Sequence, residues 1–269
     1  MTSRRGGRTG GRLPVVLVLP AVLGLAFLLV PLLGLLLRTP WSTLGEQLFS
    51  REVGQALRLS LVCACLATAL CVVLGLPLAW LLARSDLPGR KLLRALVTVP
   101  LVLPPVVGGV ALLFVLGRRG LLGQYLDSWF GVTLPFTTAG VVIAEAFVAM
   151  PFLVISVEGA LRAADPRYEE AAATLGASRW LVFRRVTLPS IMPGLVAGTV
   201  LCWARALGEF GATITFAGNF PGRTTTMPLA VYLALESEPE AAIVLSVLLL
   251  VVSVAVLAGL RDRWISGPT

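Results

Sequence analysis

Apolar residues in this chain gather into six long runs separated by short polar connections. Four of them, Leu13–Leu37, Leu59–Ala83, Ala95–Gly117 and Ala241–Leu260, contain no charged residue. Two more contain isolated charges: Phe136–Ala160 holds Glu145 and Glu158, and Ile191–Ala217 holds Arg205 and Glu209. An α-helix needs about 20 apolar residues to cross a hydrocarbon core about 30 Å thick, and each run meets that length. Membrane β-strands would be about 10 residues long and would alternate in polarity; these runs do neither. The pattern predicts an all-α integral membrane protein with six transmembrane helices. The spans form a single domain over 13–260, between a basic N-terminus (1–12) and a short C-terminus (261–269). The first run follows Arg4, Arg5, Arg8 and Arg12, as a signal peptide would. It is longer than an apolar signal core of about 7–15 residues and no A-x-A site follows it, so it is expected to remain as the first helix.

Composition agrees and narrows the chemistry. Of the 269 residues, 57% are hydrophobic and 13% charged, against about 25% charged in a typical soluble domain, and the mean hydropathy is +0.91. There is no histidine, which removes imidazole acid–base chemistry and most zinc or haem ligation. Lys91 is the one lysine and no G-x-x-x-x-G-K-[ST] surrounds it, so the chain has no nucleotide-binding P-loop of its own. No G-x-S-x-G elbow appears either. Cys63, Cys65, Cys71 and Cys202 all lie inside apolar runs without metal-ligand spacing and are expected to be packing residues. No catalytic residue and no metal site is expected.

The net charge of +8 fits the excess of Lys and Arg on cytoplasmic loops better than it fits nucleic acid. Arg4, Arg5, Arg8 and Arg12, then Arg84, Arg90, Lys91 and Arg94, then Arg162, Arg167, Arg179, Arg184 and Arg185, and finally Arg261 and Arg263 share one side. The other side has Arg38, Arg51, Arg58, Arg118, Arg119 and Arg223. Both termini are therefore expected in the cytoplasm.

The connection between the fourth and fifth runs, about 161–190, is the most structured. Asp165 suits an N-cap and Pro166 the first helical position. Glu169 and Glu170 lie at the positive end of the helix that follows, and Ala171, Ala172 and Ala173 favour helix. Gly176 can take positive φ and end it. Ser178 is placed to cap a second short helix, Arg179–Val186, stopped before Pro189. Two uses of this helix–turn–helix are open on these grounds. One is an amphipathic connector with Trp180, Leu181 and Phe183 among the headgroups; the other is a docking element for a cytoplasmic partner.

The same residues carry a resemblance. Glu170-Ala171-Ala172, three residues, Gly176, nine residues, then Val186-Thr187-Leu188-Pro189 resembles the EAA loop of binding-protein-dependent ABC importer membrane subunits, with Val186 where isoleucine is common. The resemblance implies the type I importer transmembrane fold, with this loop as the coupling helix that docks on an ATPase. It makes Glu170, Ala171, Ala172, Gly176, Leu188 and Pro189 the coupling residues. It further implies a homodimer of permease subunits and two ATP-binding subunits. These hold the ATP and magnesium, so this chain binds no cofactor and is not itself an enzyme. An extracytoplasmic binding protein completes the set, in a bacterial or archaeal cytoplasmic membrane.

Two segments bear on what is carried. Arg205 and Glu209 are four apart, so they share a helix face and can pair. Unpaired intramembrane charges cost at least about 2.5–3.5 kcal/mol each, so a structural salt bridge and a face lining the pathway are both open. Gly208 and Gly211 would admit a close neighbour. Glu145 is a weaker candidate for the pathway, and Glu158 is expected near the cytoplasmic interface. In the third run, Pro100, Pro104 and Pro105 remove backbone hydrogen bonds and, with the flexible Gly108 and Gly109, predict a kinked helix that lines a cavity. Arg205, Glu209, Gly208, Pro104 and Pro105 are the candidate pathway and gate residues.

From the second run onward these segments resemble the molybdate branch of the importer family. The residues are Pro100–Pro105, Arg205-Ala206-Leu207-Gly208-Glu209-Phe210-Gly211-Ala212-Thr213, Gly218–Thr224 and Pro228-Leu229-Ala230. Sulfate and thiosulfate permeases share the Leu-Gly-Glu core, so the resemblance implies a tetrahedral oxyanion, molybdate or tungstate first and sulfate or thiosulfate as the alternative. A stand-alone secondary anion transporter is the rival from another class.

Overall fold

The chain, as a computed structural model, is described for residues 15–48 and 50–265. The basic N-terminus (1–12), the start of the first expected span and the last residues of the C-terminus lie outside them. Every regular element among the described residues is helical. The first five are α1 (Val15–Leu37), α2 (Leu44–Leu48), α3 (Arg51–Arg84), α4 (Arg90–Val102) and α5 (Pro105–Leu116). Next come α6 (Gly123–Phe130), α7 (Thr138–Ala163), α8 (Arg167–Thr174), α9 (Arg179–Val182) and a π-turn (Phe183–Thr187). The chain finishes with α10 (Leu188–Leu207), α11 (Gly211–Ala217), α12 (Met227–Ser237) and α13 (Pro239–Ile265).

Five helices are long and apolar enough to span a membrane, and α4 with α5 is a bent apolar pair that makes six if counted as one span. The expected single kinked third helix is instead broken, with α4 and α5 meeting at 116°. Pro104 and Pro105 cause this. The residue before a proline is driven out of the α region, and Leu103 takes φ −69°, ψ 129°. Pro105 then sits in the first turn of α5, where a missing N–H costs nothing. The fifth expected span also breaks: α10 ends at Leu207 and α11 restarts at Gly211.

The core lies where α3, α7 and α10 pack together, and its surfaces are small. Ala64, Ala67 and Cys71 of α3 meet Ala146, Ala149 and Leu153 of α7 and Cys202 and Ala206 of α10. In lipid there is little hydrophobic gain from helix association, so close approach of small residues supplies the packing. Gly194 and Gly198 of α10 face Ala160 and Ser156 of α7 so closely that a Cβ on either glycine would collide. Ser156 Oγ donates to the Gly194 carbonyl at 2.9 Å. By contrast, the apolar window of α1 is wholly unburied.

The two broken spans pack on each other through glycine. A Cβ on Gly109 of α5 would stand 2.7 Å from Thr215 Cβ and 2.8 Å from the Ala212 carbonyl of α11. Gly109→Val is therefore expected to cost about 1–3 kcal/mol or more through overpacking. The loss should appear as a lower unfolding temperature in detergent. Gly24→Val on α1, where nothing lies within 4 Å, should leave that temperature unchanged.

Candidate coupling loop and ion-pair site

The loop after α7 folds from local signals. Asp165 Oδ1 accepts from the Arg167 amide at 3.0 Å, and Pro166 already has helical φ and ψ, which starts α8. The helix ends on a Schellman turn. Gly176 has φ +83°, its amide donates to the Ala173 carbonyl at 3.0 Å, and the Ala177 amide donates to the Ala172 carbonyl at 3.1 Å. That pair of bonds needs a left-handed residue at position 176, and glycine takes it without a Cβ penalty. Ser178 Oγ then accepts from the Leu181 amide at 3.3 Å and caps α9 as expected. Glu170, Ala171 and Gly176 are all exposed and Ala172 is half-buried. Leu175, an apolar side chain at the tip of the turn, is 88% exposed.

The second short helix does not stop before Pro189. α9, the π-turn and α10 form one continuous helix, Arg179–Leu207. A proline inside an α-helix clashes with the carbonyl four residues back and removes one bond. Here the wider π-turn relieves both constraints just ahead of Pro189, with the Leu188 amide donating to the Phe183 carbonyl five residues back. Leu188 and Pro189 thus sit in the first turn of α10 rather than in a loop.

Two carboxylates anchor this end of the bundle through partners distant in the sequence. Glu169 Oε1 accepts from Arg84 Nη2 at 3.0 Å, at the end of α3, and from Thr187 Oγ1 at 3.1 Å, in the π-turn. Glu158 Oε1 accepts from Arg94 Nε at 2.9 Å and Nη2 at 2.6 Å, and Arg162 Nη2 lies 2.8 Å away. Glu158 is buried, so it ties α4 to α7 beneath the surface.

Farther along the bundle, Arg205 and Glu209 pair as their spacing predicts, with Nη2 and Oε2 2.6 Å apart. Their setting differs from an unbroken helix. Glu209 lies in the gap between α10 and α11, 1% exposed, and its Oε1 accepts from the Ala212 amide at 2.7 Å. One carboxylate therefore neutralises the arginine and caps the restarted helix. Arg205 keeps 27% of its side chain exposed. Gly211 admits the close neighbour expected of it, since a Cβ there would lie 2.9 Å from Pro105 Cβ and 3.1 Å from the Val106 amide nitrogen. Gly208 does not: it is exposed and only the Ala204 carbonyl of its own helix approaches it, at 3.6 Å. Glu145 does not line an open space. It is 1% exposed, its Oε2 has no hydrogen-bond partner, and its charged neighbour is Glu209. The two span breaks thus meet at Pro105 and Gly211, with Arg205, Gly208 and Glu209 at the α10–α11 break; Pro104 lies at the α4–α5 break. Among the described residues there is no cluster of ligands that could hold a metal.

The described chain is thus a helical bundle with two span breaks, an ion pair at one of them and an exposed helix–turn–helix at one end. Residues 75–267 match the family described as "Binding-protein-dependent transport system inner membrane component", and the chain belongs to that family. It is 49% identical over 251 residues to the molybdenum transport system permease protein ModB of Mycobacterium tuberculosis, covering 93% of this chain and 95% of that one. Identity to the protein of the same name from Escherichia coli K12 is 43%, covering 79% and 93%. Identity to the sulfate transport system permease protein CysT of Escherichia coli K12 is 38%, covering 82% of each. Among solved structures, a bacterial ABC transporter importing the polysaccharide alginate superposes with a TM-score of 0.76 at 19% identity, covering 94% and 95%. The MetNI methionine ABC transporter superposes at 0.63 and 18%, covering 80% and 95%. The fold is thus that of an ABC importer transmembrane subunit, and the chain is a membrane permease component of such an importer.

Proposed function

We propose that the chain carries molybdate, or the isosteric tungstate, as a homodimer driven by two ATPase subunits and supplied by an extracytoplasmic binding protein. The observation that carries the substrate is the 49% identity to a molybdenum permease across 93% of the chain. The ATPase docks on the exposed face of Glu170, Ala171, Ala172 and Gly176, with Leu175 as its apolar contact. Leu188 and Pro189 set where α10 leaves that loop. Both termini and this loop face the cytoplasm, in line with the placement of Lys and Arg. Closing of the ATPase subunits draws the two coupling loops together and reverses which end of the cavity is open. Arg205, beside the facing breaks at Pro104–Pro105 and Gly208–Phe210, presents the positive charge an oxyanion meets. Selectivity rests mainly with the binding protein, because a permease site must bind weakly enough to release. This chain binds no cofactor; ATP and magnesium are held by its partner.

Uptake of labelled molybdate by the reconstituted complex tests this reading. It is expected to require the ATPase subunit and to be competed by tungstate more strongly than by sulfate. Stronger competition by sulfate would move the chain to the sulfate reading, whose support is the lower 38% identity to a sulfate permease. Uptake that persists without any ATPase would make it a secondary transporter instead.

A further inference from the structure

α8 carries no buried residue and rests mainly on α9 and the π-turn, so little apolar packing holds it to the bundle. Its polar attachment is Glu169. Glu169 and Glu170 are consecutive and point to different sides of the helix: Glu170 is exposed, whereas Glu169 turns inward and is 26% exposed. A single oxygen, Glu169 Oε1, takes both Arg84 Nη2 and the buried Thr187 hydroxyl. Arg84 is itself only 20% exposed.

Arg84 is the last residue of α3, the longest helix, whose 34 residues reach about 51 Å at 1.5 Å per residue. The opposite end of α3 forms one wall of a cavity of about 480 Å³, where Glu52 and Gln55 face Asn219 and Glu238 from the segments around α12. One continuous helix, with Pro77 inside it, therefore runs from the candidate docking loop to a cavity on the other side of the bundle. The covalent path from α8 reaches only α7 and α9.

We infer that Glu169 is a positioning residue that transmits movement of α8 to α3, through Arg84, and to the start of α10, through Thr187, so that docking-loop movement changes the cavity at the far end of α3. The inference rests on the reading of α8 as the ATPase-docking helix. It differs from docking itself, because Glu169 faces the bundle and Glu170 faces the partner. A partly buried charge pair with a shared hydroxyl transmits both push and pull, which apolar contact alone does not.

The test uses the reconstituted permease–ATPase complex, with Cys65→Ser to remove the exposed thiol and Gln55→Cys as reporter in the cavity wall. Labelling of that cysteine by a membrane-impermeant maleimide is expected to change with ATP by about fivefold or more, the lower end of ordinary allosteric coupling. Glu169→Gln is expected to keep full co-purification of the ATPase and its ATP turnover while the ATP-dependent change disappears. Thr187→Val should reduce the change in part. The exchanged pair Glu169→Arg with Arg84→Glu should restore most of it. An undiminished change in Glu169→Gln, an exchanged pair no better than the single variant, or loss of ATPase co-purification in Glu169→Gln would each overturn the inference. So would labelling that ATP does not alter in the otherwise unmodified complex. The readout needs no substrate, so ATP-dependent labelling without molybdate uptake would sink the substrate reading and leave this one standing.

Discussion

Gly176→Trp is expected to abolish association with the ATPase subunit, whereas Gly176→Ala is expected to retain most of it. The two substitutions share one cost and differ in another. Either forces a Cβ onto a backbone at φ +83°, which costs about 1–2 kcal/mol for an ordinary L-residue. The Schellman bonds to Ala172 and Ala173 oppose any relaxation of the turn. Nothing lies within 4 Å of that Cβ position, so no steric clash arises inside the chain. Bulk is felt only by whatever approaches from outside, beside exposed Leu175 and Glu170. Pull-down of the ATPase with each variant checks this, with unfolding temperature measured in parallel. A Gly176→Trp protein that holds the ATPase as well as the parent would remove this face from the docking site. Equal loss in both variants would assign the requirement to the turn geometry alone.

The loop was legible in the sequence because its determinants are local. Asp165, Pro166, Gly176 and Ser178 each act within one turn. The Gly176 turn and the Ser178 cap form as their types and spacing predict. Pro166 takes the N-cap position expected of Asp165, whose carboxylate still accepts from the Arg167 amide. The spans were legible for a similar reason, since an apolar run of about 20 residues has few alternatives to a membrane helix. The breaks were not. Hydropathy continues unbroken through Leu103–Pro105, and a double proline is compatible with anything from a mild kink to a reversal. The prolines permit a break, and its 116° angle goes with α5 lying along α11 with Gly109 against Ala212, a contact between residues 103 positions apart. The same holds for Glu169 with Arg84, 85 residues apart, and for Glu158 with Arg94, 64 apart. Periodicity marks which face a residue occupies, not which distant residue meets it. Pro189 shows the reverse case: the local rule that proline ends a helix was overridden by one π-turn.

The ion pair between the breaks leads to the second strong expectation. Arg205→Ala should lower the yield of folded protein as well as uptake, because it leaves Glu209 buried and without its cation. Breaking a buried pair from one side costs about 3–5 kcal/mol, while replacing both partners by neutral groups is often close to neutral. Glu209→Gln alone is milder. Its amide oxygen still accepts from Ala212, and Arg205 retains some exposure for its own solvation. The informative protein is therefore the double variant Arg205→Met with Glu209→Gln, which removes both charges and keeps the cap on α11. It is expected to assemble with the ATPase at parental yield. If Arg205 also serves the oxyanion, uptake should remain about ten- to a hundredfold below the parent, the equivalent of one charge-assisted hydrogen bond of about 1.5–3 kcal/mol. Return of uptake together with assembly would reduce the pair to a latch between α10 and α11. The lasting loss is the expected outcome, because the carboxylate is sealed while the guanidinium keeps 27% of its side chain open, beside the exposed Gly208.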